Sequence, residues 1–172
     1  HKKRSHNTKE FWLNKGFSEE ESIKKSEEVM CMIHEKTFKK FKDNPEKYDI
    51  IVNVPKLKTH GMMGMTLGVK NTYGFIHALE KARWHLRAGQ DRSLFASILI
   101  DIHTIVSPSV TILDGIIGMD GDGPSSGRPR KLNVLAASKN AFILDDCIEK
   151  LVRFPYPTPI TRLAKTHGLL PE

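Results

Sequence analysis

DRSLFASILIDIHTIVSPSVTILDG, residues 91–115, sets a helix directly against a strand. Leu94, Phe95, Ile98, Leu99, Ile102, Ile105 and Val106 recur at helical spacing behind Asp91, and Pro108 stops the pattern. SVTILDG then has the short β-branched character of a strand, ending at Asp114 and Gly115. A helix handed straight to a strand is the signature of an alternating chain, and the same alternation extends to both sides.

Toward the C-terminus comes a glycine-rich loop, GMDGDGPSSGRP (118–129), then a strand at KLNVLAAS (131–138). A helix around NAFILDDCIEKLV (140–152) follows, and a last short helix starts near Pro159 and closes at Gly168. Toward the N-terminus, ALEKARWHLR (78–87) suggests a helix, and MTLGVKNTYG (65–74) a short one with Gly74 as its C′ residue. YDIIVNV (48–54) is a strand of the buried type. Before it, Ser18 and Glu21 form a capping box for a helix of about five turns, with Ile23, Val29, Met30, Ile33 and Phe41 on its apolar face and lysines at its end. Strands separated by helices predict a single α/β domain over residues 17–172, with a largely parallel sheet flanked by helices, behind a basic tail at 1–16.

The 172 residues fit one domain, and the formal net charge of +7 favours anionic partners without choosing among them. No aromatic interleaving or recognised motif supports nucleic acid. No run reaches the roughly 18 apolar residues of a membrane span, and HKKRSHNTKE at the start has no apolar signal core. Only two cysteines occur, Cys31 and Cys147, far apart, so neither a disulfide framework nor a four-thiolate cluster is expected within this chain. The expectation is a soluble, cytoplasmic protein. A first residue other than Met points to processing or to a piece of a longer chain.

In parallel sheets the ligand crevice lies beyond the carboxyl ends of the strands, and two strands here run into unusual loops. NVPKLKTHGMMGMTLGVKNTYG (53–74) supplies Lys56, Lys58, Thr59, His60, Lys70 and Asn71. The later loop supplies Asp114 and the backbone amides of Gly121 and Gly123. Cations facing exposed amides favour a phosphate or carboxylate, by charge-assisted bonds and backbone nests. Lys56 and Lys58, two apart in an extended segment, share one side, and a helix starting near Gly64 would add its positive end. His60 is the candidate proton-transfer group. Asp120 and Asp122 are candidate oxygen ligands for Mg²⁺, although DGDG is equally a pair of tight turns and no glutamate closes a calcium loop. The nucleotide motifs GxGxxG and GxxxxGK[ST] are absent, and PSSG (124–127) is not read as a nucleophile elbow.

NVPKLKTHGMMGMTLGVKNTYGFI (53–76), ILDGIIGMDGDGPSSGRP (112–129) and LAASKNAFILDDCIEKLV (135–152) resemble, in order and spacing, the signature blocks of the domain-of-unknown-function 362 family, over about residues 47–170. The family pattern falls on Lys56, Lys58, Thr59, His60, Gly64, Lys70, Asn71 and Gly74, then on Asp114, Gly115, Gly118, Gly121, Gly123, Pro124 and Gly127. The family is largely uncharacterised. The resemblance implies an association with iron–sulfur proteins, many members joining this domain to a ferredoxin-type cysteine module, which is not found here. The family's early strand and lysine-bearing loop are also not found before the first helix, as expected of the later part of a longer protein. Two functions follow as expectations: a small anionic ligand bound between the two loops, as in a redox-linked enzyme, or a docking and electron-transfer module for a separate ferredoxin-type protein.

Overall fold

The computed structural model describes residues 50–76 and 78–170, together with 13, 16, 18–22 and 24. The tail, most of the first helix and Cys31 lie outside the described residues. At that helix's start the capping box is formed: the Glu21 amide donates to Ser18 Oγ at 3.3 Å, and the Ser18 amide donates to the Glu21 carboxylate at 3.1 Å.

The protein is α/β. The strands among the described residues are β1 (Val52–Asn53), β2 (Lys56–His60), β3 (Gly64–Thr66), β4 (Val110–Asp120) and β5 (Arg128–Ser138). β1 and β2 form one ribbon interrupted at Val54–Pro55, and both pair in parallel with β4, Val52 opposite Val110 and Lys56 opposite Asp114. β3 folds back antiparallel on β2, and β5 returns antiparallel along β4. The sheet thus has a parallel centre, reached by a long helical crossover, and an antiparallel strand at each edge.

Alternation assigns the two faces. Asn53, Leu57, Thr111, Leu113 and Gly115 are buried on one face; Val52, Val54, Lys56, Asp114, Ile116 and Leu135 point away from it. On the buried face α1 (Gly68–Asn71) and α4 (Ala141–Leu151) cover the sheet, and Leu57, Met65, Leu67, Leu113, Leu144 and Ile148 make the contact. The crossover continues from α1 through a 3₁₀ turn (Thr72–Phe75) and α2 (Ala78–Ala88) into α3 (Arg92–Val106). α3 is buried almost all round, its polar Ser97, Asp101 and His103 included, and Phe95, Ile98, Leu99 and Ile102 pack against Met63, Val69, Tyr73 and Trp84. α5 (Pro159–Thr166) closes the structure beside α3.

The caps explain where the helices begin. Asp91 accepts from the Ser93 and Leu94 amides, Asn140 from those of Phe142 and Ile143, and Thr158 from that of Thr161. Three expected boundaries are corrected. β4 does not end at Gly115 but runs to Asp120, because Gly115 and Gly118 are strand positions where neighbours press close: a Cβ on Gly118 would lie 3.2 Å from the Leu57 carbonyl oxygen. The short helix begins at Gly68 rather than near Gly64, which pairs with His60 in a strand. Gly74 lies inside the 3₁₀ turn and is no C′ residue.

Candidate functional site

The first of the two anticipated loops is the turn between β2 and β3. His60 organises it: its Nδ1 accepts from the Met62 and Met63 amides, each at 3.2 Å. A ring nitrogen used as acceptor leaves the proton on Nε2. Burial, then the nearby Lys70 and His85, push the His60 pKa down from 6.5 to about 4, so the ring is neutral at pH 7 and offers one N–H donor.

The second loop, residues 121–127, joins β4 to β5 and meets the first directly. Thr59 Oγ1 donates to the Gly121 carbonyl at 2.8 Å, and the Gly61 amide approaches the Gly123 carbonyl at 3.4 Å. Gly121 has φ +82°, and a Cβ on Gly123 would collide with the Thr59 carbonyl.

The remaining expected residues divide between separate places. Lys56 and Lys58 share a side, as the strand period demands, but it is the face turned away from α1. There Lys56 binds Asp114 at 2.7 Å, and that hydrogen bond, with one from the Ile116 amide, holds the Asp114 carboxyl below its usual range. Asn71 turns to the buried face, where its amide donates to Asn53 Oδ1 at 2.8 Å; Asn53 in turn donates to the Gly68 carbonyl and to Thr111 Oγ1. This network pins α1 to the sheet. Lys70 lies over the Tyr73 ring at 5.9 Å, with Lys81 over the same ring at 5.8 Å. Burial first, and Lys81 second, lower the Lys70 pKa to about 8.

The first amides of α1 already have their acceptor. Asp145 of α4, buried, accepts from the Gly68 amide at 2.7 Å and the Val69 amide at 3.0 Å. Burial raises its pKa to about 7 against the pull of those two bonds. Asp120 is engaged as well, by Arg130 at 2.6 Å and by the Gly121 amide, while Asp122 is exposed. Among the described residues no three His, Cys, Asp or Glu side chains come together as metal ligands.

Beside the junction of the loops lies a cleft of about 430 Å³. From the anticipated set, Thr59, His60 and Gly121 line it. The sequence reading missed the other contributors: Arg92 and Ser93 in the first turn of α3, Phe154 and Tyr156 in the segment before α5, and α5 itself. Pro159, Arg162, Leu163 and Thr166 are spaced i, i+3, i+4, i+7 and form one side of α5, opposite the buried Ile160, Thr161 and Ala164. That spacing in PITRLAKT was the available signal. No Asp or Glu lines the cleft, and neither arginine has an ion-pair partner among the described residues.

The family profile described as "Domain of unknown function (DUF362)" matches residues 13–149, through the sheet, both loops and α4. The chain belongs to the DUF362 family. A curated relative, a thylakoid-associated protein of Synechocystis sp., is 39% identical over 124 residues, which are 72% of this chain and 39% of the relative. The DUF362 chain described here therefore spans well under half of that relative's length. No solved structure matches it significantly. Among its described residues no helix is long and apolar enough to cross a membrane.

Proposed function

We propose that this DUF362 domain binds a small anionic ligand in the cleft between the β2–β3 turn and α5. The observation that supports the reading is the lining: two arginines without an ion-pair partner among the described residues, a neutral histidine with one N–H donor and the hydroxyl-bearing Ser93 and Thr166, with no carboxylate among them. Unpaired guanidiniums without a counter-charge favour an anion brought from outside, and a planar guanidinium suits the two oxygens of a phosphate or carboxylate. The volume falls within the range of small-molecule sites. Asp91 already satisfies the first free amides of α3, so the attraction comes from the side chains rather than from the helix end.

In this reading His60 serves as a hydrogen-bond donor. With a pKa of about 4 it is a weak base at neutral pH, poorly matched to proton abstraction. Lys70, within electrostatic range, helps keep it neutral. Lys56 and Lys58, on the outward face of the sheet, have no part in the site.

Calorimetric titration at pH 7.5 with inorganic phosphate, pyrophosphate and citrate tests the proposal. At least one should bind saturably, and Arg162→Met should weaken it about ten- to a hundredfold, the worth of one charge-assisted contact. Lys58→Met should leave it unchanged. Absence of saturable binding, or equal losses in the two variants, would remove the reading.

A further inference from the structure

The cleft has an aromatic side that recognition of an anion alone does not use. Phe154 and Tyr156 both line it, their ring centroids 5.5 Å apart and their planes at 66°. Tyr156 is 54% exposed, so its ring is open to a ligand in the cleft.

The segment that carries the two rings is anchored at both ends, at Phe154 and at Thr158. The Phe154 amide donates to the Glu149 carbonyl at 2.8 Å as the chain leaves α4. The Phe154 ring lies against Gly64, where an added Cβ would sit 3.1 Å from it, so the absence of a side chain at Gly64 makes its seat. Four residues on, buried Thr158 is fixed by Glu149, its amide donating to Oε2 at 3.1 Å and its hydroxyl to Oε1 at 2.7 Å. Thr158 also caps α5, and Arg162 follows one turn later. One short, anchored segment thus presents two aromatic rings and a guanidinium to the same cleft. Rings stack on flat π-systems with little regard to their substituents, whereas the guanidinium requires negative charge.

We infer that the ligand is an anion carried on a planar ring system, of the class of a phosphorylated or carboxylated heteroaromatic compound, with its ring against Tyr156 and Phe154 and its anionic group toward Arg162 and Arg92. This rests on the anion-site reading above and adds the identity of the rest of the ligand. Ordinary surface coverage by Tyr156 would give no preference among anions that share a phosphate.

The probes are inorganic phosphate, ribose 5-phosphate and adenosine 5′-monophosphate, titrated into the wild-type chain, Tyr156→Ala and Arg162→Met. The adenine compound should bind the wild type at least about tenfold more tightly than ribose 5-phosphate. Tyr156→Ala should erase that advantage while leaving ribose 5-phosphate within about twofold, and Arg162→Met should weaken both phosphates. Equal affinities of the two compounds for the wild type, or equal losses in Tyr156→Ala, would overturn the inference and leave the anion site standing. If none of the three binds, the anion site fails and the inference falls with it.

Discussion

His103 should make the protein acid-sensitive, and the effect can be isolated by replacing it. The residue lies within α3, 8% exposed, with the Phe142 ring edge-on at 5.3 Å, and its buried Nδ1 has no hydrogen-bond partner among the described residues. Burial pushes its pKa from 6.5 down to about 4. Between those values the unfolded chain takes up a proton that the folded chain refuses. Stability therefore falls as pH drops through that window, and this contribution levels off below it. At about 1.36 kcal/mol per pKa unit, the loss on going from pH 7.5 to 4 is on the order of 3 kcal/mol. The wild-type profile alone cannot reveal it, because other groups, His60, His85 and Asp145 among them, titrate nearby. His60 acts in the same direction, discounted because its ring is half exposed. Asp145, raised to about 7, acts in the opposite direction, since its folded carboxyl binds a proton more readily than the unfolded one. His103→Leu removes one contribution and leaves the others. At pH 7.5 the variant should lie within about 1.5 kcal/mol of wild type, the replacement being apolar and of similar volume. At pH 4 it should have gained about 3 kcal/mol relative to that difference. Urea unfolding at pH 7.5, 5.5 and 4.0 measures this. A constant offset between the two proteins at all three pH values would refute the reasoning.

Three further changes probe the framework of the site. Asp145→Ala strips two buried amides of their acceptor and should cost about 2–5 kcal/mol by urea unfolding at pH 7.5, with amide exchange at Gly68 and Val69 accelerated. Gly123→Ala drives a Cβ into the Thr59 carbonyl and should separate the two loops, lowering the melting temperature and weakening any cleft ligand more than Gly74→Ala, where nothing lies within 4 Å. Asp120→Asn breaks an exposed pair and should change stability by less than about 1 kcal/mol; a larger loss would mean that the hairpin depends on that contact.

Much of the scaffold was readable because local patterns and tertiary structure agree. α3 behind Asp91, α4 behind Asn140 and α5 from Pro159 all begin where cap and periodicity coincide. The second half of β4 was not readable, since Gly115 and Gly118 look like loop residues until Leu57 and Val134 are seen pressed against them. The lysines were legible as a group in sequence but not in space: alternation turns Lys56 and Lys58 outward, while the chain passes to the other face before α1 begins. Asp145 reads as one of three acids on an amphipathic helix, and only the arrival of the Gly68 and Val69 amides makes it a buried cap. Arg92 comes from one segment and Tyr156 and Arg162 from another, and their convergence is a property of the packing of α3 against α5.

The central claim, that the cleft and not the lysine-bearing strand receives the anion, is tested most directly by a two-dimensional NMR titration of the isotopically labelled chain with inorganic phosphate at pH 7.5. Saturable shifts should gather on the backbone amides of Gly61, Ser93 and Gly121, on the Arg162 Nε–H and on the His60 ring, with Lys56 and Lys58 unmoved. Saturable shifts centred on Lys56, Lys58 and Asp114, or no saturable shift at the cleft, would contradict the account.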